Sequence, residues 1–183
     1  DLAEFDDSAW QALNLDEYSN SEIMQLYSRN VLSQVDQKAL KEIAKFSSES
    51  VVLVALSPIA IIDMLLMLLR NLRLVNKIAS LYGLKLSYWS RVKLIKQVII
   101  NMAYAGASEL VADLGADLLG AELLGKLSAR MAQGLGAGML TARLGLKTMH
   151  LCRPIPFADD TPKLGHIRQQ IVSQVQGLIK KDK

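Results

Sequence analysis

Ninety-five consecutive residues, Ile59 to Arg153, contain no proline; the four prolines stand at positions 58, 154, 156 and 162. Proline inside a helix removes a hydrogen bond and clashes with the preceding turn, so a long interval without it leaves long helices open to the chain. Leu, Ala, Lys, Glu and Gln, all good helix formers, dominate the sequence. Threonine occurs three times, and β-branched residues rarely alternate with polar ones as the two faces of a strand require. The expected fold is all-α, a bundle of about six to seven helices with glycine-rich, close-packed central helices. At 183 residues one domain can bury a core without disulfide staples. The expected division is an acidic, loosely ordered segment over 1–18, one helical domain over 19–179 and a frayed basic tail over 180–183.

Local signals place the elements. Ser19-Asn20-Ser21-Glu22 fits a capping box, with hydroxyl and carboxylate each satisfying an otherwise orphaned amide. A helix carrying Ile23, Leu26 and Tyr27 on one face follows, and a second is expected from about Gln34 to Leu56. Ser57-Pro58 ends or kinks it. A helix from about Pro58 to Tyr82 sets Val75, Ile78, Ala79 and Tyr82 opposite Arg70, Arg73, Asn76 and Lys77, with Gly83 as its C′ residue. From about Ser87, the spacing of Val92, Ile95, Ile99 and Met102 marks a packing seam. Thr161-Pro162 opens a last helix with Leu164, Ile167, Ile171, Val175 and Leu178 on one side.

The run Val51 to Leu69 is long enough to be weighed as a membrane span. Asp63 would cost about 2.5–3.5 kcal/mol at a bilayer centre, which the surrounding Leu, Ile and Val offset. The proline weighs more, because it splits the run into two lengths each short of the roughly 30 Å required. A buried core hairpin is preferred to membrane insertion. Asp63 itself, in an apolar setting, is expected to start the helix or to pair with Arg70 at i+7.

Eight of the eleven glycines fall between Gly106 and Gly145, among Ala, Leu and Met. Such density permits close helix approach. Gly134, Gly136 and Gly138 mimic part of a dinucleotide fingerprint, but no strand precedes them and no acidic ribose partner follows in a βαβ context. Close packing, or a turn between two helices, accounts better for them.

Charge is sorted along the chain. Residues 1–50 carry ten acids and four bases, a net of −6; the remainder nets +9. Arg70, Arg73, Lys77, Lys85, Arg91, Lys93 and Lys96 form a run without an acid, and Tyr88 and Trp89 lie within it as amphipathic rings do at a headgroup interface. Two readings stand: a solvated face partly neutralised by the acidic N-terminal part, or a surface for anionic lipid or a protein partner. Nucleic acid is not expected, since no recognised motif accompanies the run. Glu109, Asp113 and Asp117 share one helical face and read as a solvated stripe.

The chemistry of catalysis is missing from the sequence. His150 and Cys152, two residues apart, fall on different sides of a helix. The single cysteine excludes an intrachain disulfide, and no phosphate loop, nucleophile elbow or zinc-protease motif occurs. No enzyme, cofactor or metal site is expected. No charged and apolar leader follows Asp1, and a chain opening on aspartate is expected to be a piece of a longer one.

Three stretches resemble a known family: Leu56-Ser57-Pro58-Ile59-Ala60-Ile61-Ile62-Asp63, Arg70 through Gly83, and Arg153-Pro154-Ile155-Pro156-Phe157. They are similar to the YcjF-type inner-membrane proteins of Gram-negative bacteria, and the same helix end and Pro-x-Pro-Phe turn recur in a domain attached to some Era-like GTPases. The likeness covers about Asn20 to Leu178. It implies a domain on the cytoplasmic side of the inner membrane, tethered by helices outside this chain, with a YcjX-type GTPase as partner. It carries over no catalytic residue. The expected role is a non-catalytic interaction domain, with homo-oligomers allowed; the alternative is a membrane-inserting or oligomerising component of an envelope stress or transport assembly.

Overall fold

A computed structural model describes residues 8–14, 17–56, 60–85, 87, 90–97, 129–157, 161–165 and 167. Every regular element among them is helical: α1 (Ser8–Gln11), α2 (Asn20–Tyr27), a π turn (Ser28–Leu32), α3 (Ser33–Leu56), α4 (Ala60–Leu81) and α5 (Ala129–Cys152), with 90–97 helical as well. The side chain of Asp63, Tyr88, Trp89, the seam at Ile99 and Met102, the acidic row from Glu109, and Ile171, Val175 and Leu178 lie outside the described residues.

The capping box is present at the start of α2. Ser19 N–H donates to Glu22 Oε2 at 2.9 Å, and Glu22 N–H donates to Ser19 Oγ at 3.4 Å. The Ser19 hydroxyl, which donates to Glu22 Oε2 at 2.7 Å, and then the Ser19 N–H hold the Glu22 carboxyl below its usual range. Where two helices were expected, Asn20 to Leu56 runs without a break. No proline or glycine interrupts Ser28 to Ser33, so the chain accommodates the change of face with one π turn rather than a loop.

α3 ends at Leu56, immediately before Ser57-Pro58, and α4 runs back along it. At the far end of α4 the Gly83 backbone has φ 75°, the left-handed conformation that glycine adopts at no steric cost. Leu84 N–H reaches Ala79 O at 3.0 Å and Gly83 N–H reaches Ser80 O at 3.1 Å, which closes a Schellman cap.

α5 lies antiparallel to α3 along a seam of glycines. A Cβ at Gly134 would stand 2.7 Å from the Val51 carbonyl oxygen, one at Gly138 would be 2.9 Å from Ser47 O, and one at Gly145 would be 2.6 Å from Ile43 Cγ1. Gly134 to Gly138 is therefore packed helix, not a turn. Ile43, Val51, Leu74, Ile78, Met139, Met149 and Ile167 close the core between the three long helices, and each large side chain buried there contributes about 1.5–3 kcal/mol. Ile167 shows that the chain after Pro162 returns to the bundle.

The apolar run around Pro58 divides differently from expectation. Val51 and Val54 are buried, whereas Leu56, Leu65, Leu66, Leu68 and Leu69 are exposed. The reason is geometric: the second half of α4 packs against α3 and α5, its first half turns Leu65, Leu66, Leu68 and Leu69 outward, and Leu56 stands exposed at the end of α3. No described helix is long and apolar enough to cross a membrane.

Candidate functional site

The most concentrated polar chemistry is buried where α3 begins and α4 and α5 end. Asp36 lies in the first turn of α3 and Arg153 directly follows α5, 117 residues later; both are buried. Arg153 Nε stands 3.2 and 3.1 Å from the two Asp36 carboxylate oxygens, and Nη2 stands 3.1 Å from Oδ2. Nη2 also donates to Ser28 Oγ at 2.8 Å, while Nη1 donates to the carbonyls of Ile155 and Pro156. All three guanidinium nitrogens are engaged. The Phe157 ring covers the group, 4.2 Å from Cζ.

Tyr82, the last residue before the Gly83 turn, donates its hydroxyl to Asp36 Oδ1 at 2.6 Å. Burial, and then the Asp36 carboxylate, push that phenol well above its ordinary range, so it stays protonated. The Asp36–Arg153 pair thus joins α3, the end of α4, the end of α5, the π turn and the Pro-x-Pro-Phe turn. No spacing along the chain linked these groups. The available signals were indirect: an arginine just before Pro-x-Pro, and a tyrosine just before a helix-ending glycine.

Cys152 is buried next to this cluster, and burial pushes its thiol up to about 11. His150 is exposed at the rim of the cluster, its ring tilted against Phe157 at 5.0 Å. Burial, then Lys147 and Arg153, lower its pKa. Among the described residues no three histidine, cysteine or carboxylate side chains gather as a metal ion would need.

A second polar bridge crosses the middle of the bundle. The Thr141 hydroxyl stands 3.1 Å from Asn71 Oδ1 and 3.3 Å from Ser50 Oγ, so α3, α4 and α5 meet at one point. Nearby, Arg70 pairs with Glu49 and lies over the Phe46 ring at 5.5 Å. Arg70 is therefore engaged across to α3. Arg73, Lys77, Lys85, Arg91, Lys93 and Lys96 are exposed, and Leu84 and Val92 stand exposed among them.

The model of a domain of unknown function, DUF697, matches residues 18–177. A UPF0283 membrane protein of Pectobacterium atrosepticum is 47% identical over 172 residues, covering 94% of this chain and 50% of the relative. The UPF0283 protein YcjF of Yersinia enterocolitica is 48% identical over 176 residues, covering 95% and 50%. The chain spans about half the length of these curated relatives. No solved structure matches it. With the family model covering most of its residues, the chain belongs to the YcjF-type DUF697 family, whose relatives are named membrane proteins.

Proposed function

We propose that the chain is a non-catalytic helical interaction domain of a membrane-anchored bacterial protein, held at the cytoplasmic face of the inner membrane, with a protein partner. A YcjX-type GTPase is the first candidate. The observation that carries this reading is the Arg153 cluster. Its three guanidinium nitrogens all have acceptors, its phenol and the neighbouring thiol are held protonated, and it fixes the ends of three helices to one another. Such a site holds a shape and offers no free acid, base or nucleophile.

Gly134, Gly138 and Gly145 are spent inside the fold against α3. The partner surface is therefore sought on the outward faces. The full-length protein, used as bait in membranes, is expected to capture one defined protein. Arg153→Met, which loosens the scaffold, should weaken that capture. An intrinsic catalytic activity of the purified protein, or capture unaffected by loss of the folded domain, would overturn the reading.

The alternative, insertion or oligomerisation in the bilayer, draws support from the outward leucines of α4. It requires the isolated chain to resist alkaline extraction from membranes, which the first reading does not.

A further inference from the structure

α4 presents one outward row at i, i+4 spacing: Leu65, Leu69, Arg73 and Lys77. All four are exposed, Leu65 by 60% and Leu69 by 45%, and Leu66 flanks the row at 40%. The row spans about 18 Å at a rise of roughly 1.5 Å per residue. It is apolar in its first half and cationic in its second. No aspartate or glutamate occurs from Leu65 to Gln97, and the chain continues from the Gly83 turn to the exposed Lys85.

We propose that this outward face of α4 is a docking surface for an anionic lipid bilayer, on which the domain lies without crossing it. The proposal deepens the membrane-side reading above and rests on it.

The charge pattern selects lipid as the occupant. A protein interface surrounds its apolar centre with a polar rim. Here leucines and bases alone make the row, as on helices that lie in a membrane interface with apolar side chains below the headgroups and cations among them. Each base close to an anionic surface contributes about 1 kcal/mol. Arg70 takes no part because Glu49 neutralises it, so the face begins its charge at Arg73. The domain then meets the bilayer obliquely, its leucine end deeper and its basic end at the phosphates. The relatives are named membrane proteins, which places such a surface within reach of one.

The test is flotation of the chain with phosphatidylcholine vesicles, with and without phosphatidylglycerol. Binding is expected only to the anionic vesicles and should fall with added salt. R73E/K77E should weaken it by roughly 30-fold or more, from the loss of two bases. The matched control is K41E/K45E, which makes the same charge change at exposed positions of α3 and should bind like the parent in its anionic preference. L65N/L69N should weaken binding without changing its salt dependence. Circular dichroism confirms that each variant keeps its helix, and R73Q/K77Q repeats the test with a milder change.

Equal losses in R73E/K77E and K41E/K45E would overturn the proposal, since net charge and not this face would then govern binding. So would the absence of binding to anionic vesicles. If R73E/K77E instead abolished capture of the protein partner while vesicles were ignored, the face would be a protein-docking surface and the lipid assignment would fall. The partner reading would survive that result, so the two failures are distinguishable.

Discussion

The two ends of α4 invert the usual relation between polarity and burial. At its C-terminal end a charged pair is buried, and a half-buried phenol and serine hydroxyl bond to it. At its N-terminal end four leucines face outward. The difference teaches what each end is for. The polar end is satisfied from within, because every guanidinium nitrogen has an acceptor in the chain. The apolar end leaves surface that water penalises and that an external partner can cover. The first end defines shape; the second is the surface proposed to use it.

The largest test addresses the satisfied end. Arg153→Met leaves Asp36 buried without its cation and should cost about 3–5 kcal/mol in urea unfolding. D36L/R153M should cost less than Arg153→Met alone, since no unpaired charge remains. A double variant that costs the sum of the singles would show that the two residues act separately.

The glycine seam, which runs between the ends, gives the next contrast. Gly134→Ala should cost about 1–3 kcal/mol, because its methyl group meets the Val51 carbonyl and backbone cannot yield cheaply. Gly136→Ala meets nothing within 4 Å and should stabilise α5 by about 0.5–1 kcal/mol. Thermal melts of the two variants should therefore shift in opposite directions.

Acid should then act selectively at the polar end. His150 has a lowered pKa, so the folded chain binds its proton less readily than the unfolded chain does. Its contribution is intact above the ordinary histidine pKa and is lost as pH falls through the depressed one. His150→Gln should flatten the fall in urea midpoint across that window; an unchanged slope would remove His150 from the account. The smallest effect belongs to the open end, where L65N/L69N should leave stability within about 0.5 kcal/mol per site. A large loss would mean that these leucines belong to the core.

Local features were readable from the residues alone. Ser19 and Glu22 form their box, α3 stops before Ser57-Pro58, and Gly83 closes α4, because each of these depends on groups a few residues apart. The Arg153 cluster was not legible. Its members stand 46, 117 and 125 residues apart along the chain, and only the antiparallel register of α3 and α5 brings them together. Hydrophobic content misled in the other direction: Leu65 and Leu69 resemble core residues in composition, and only the direction of α4 shows that they face out.

The π turn at Ser28–Leu32 carries one more consequence. A π turn inserts one residue into the helical count, which advances everything before it by roughly 100° about the axis. Ser28 sits at that insertion, and its hydroxyl accepts from Arg153 Nη2. The π turn that sets the azimuth of α2 is thus tied to a guanidinium from the other end of the chain. If that bond were released and the turn relaxed to α, the Ile23 and Leu26 face would rotate as a unit, like a key turned by its shank.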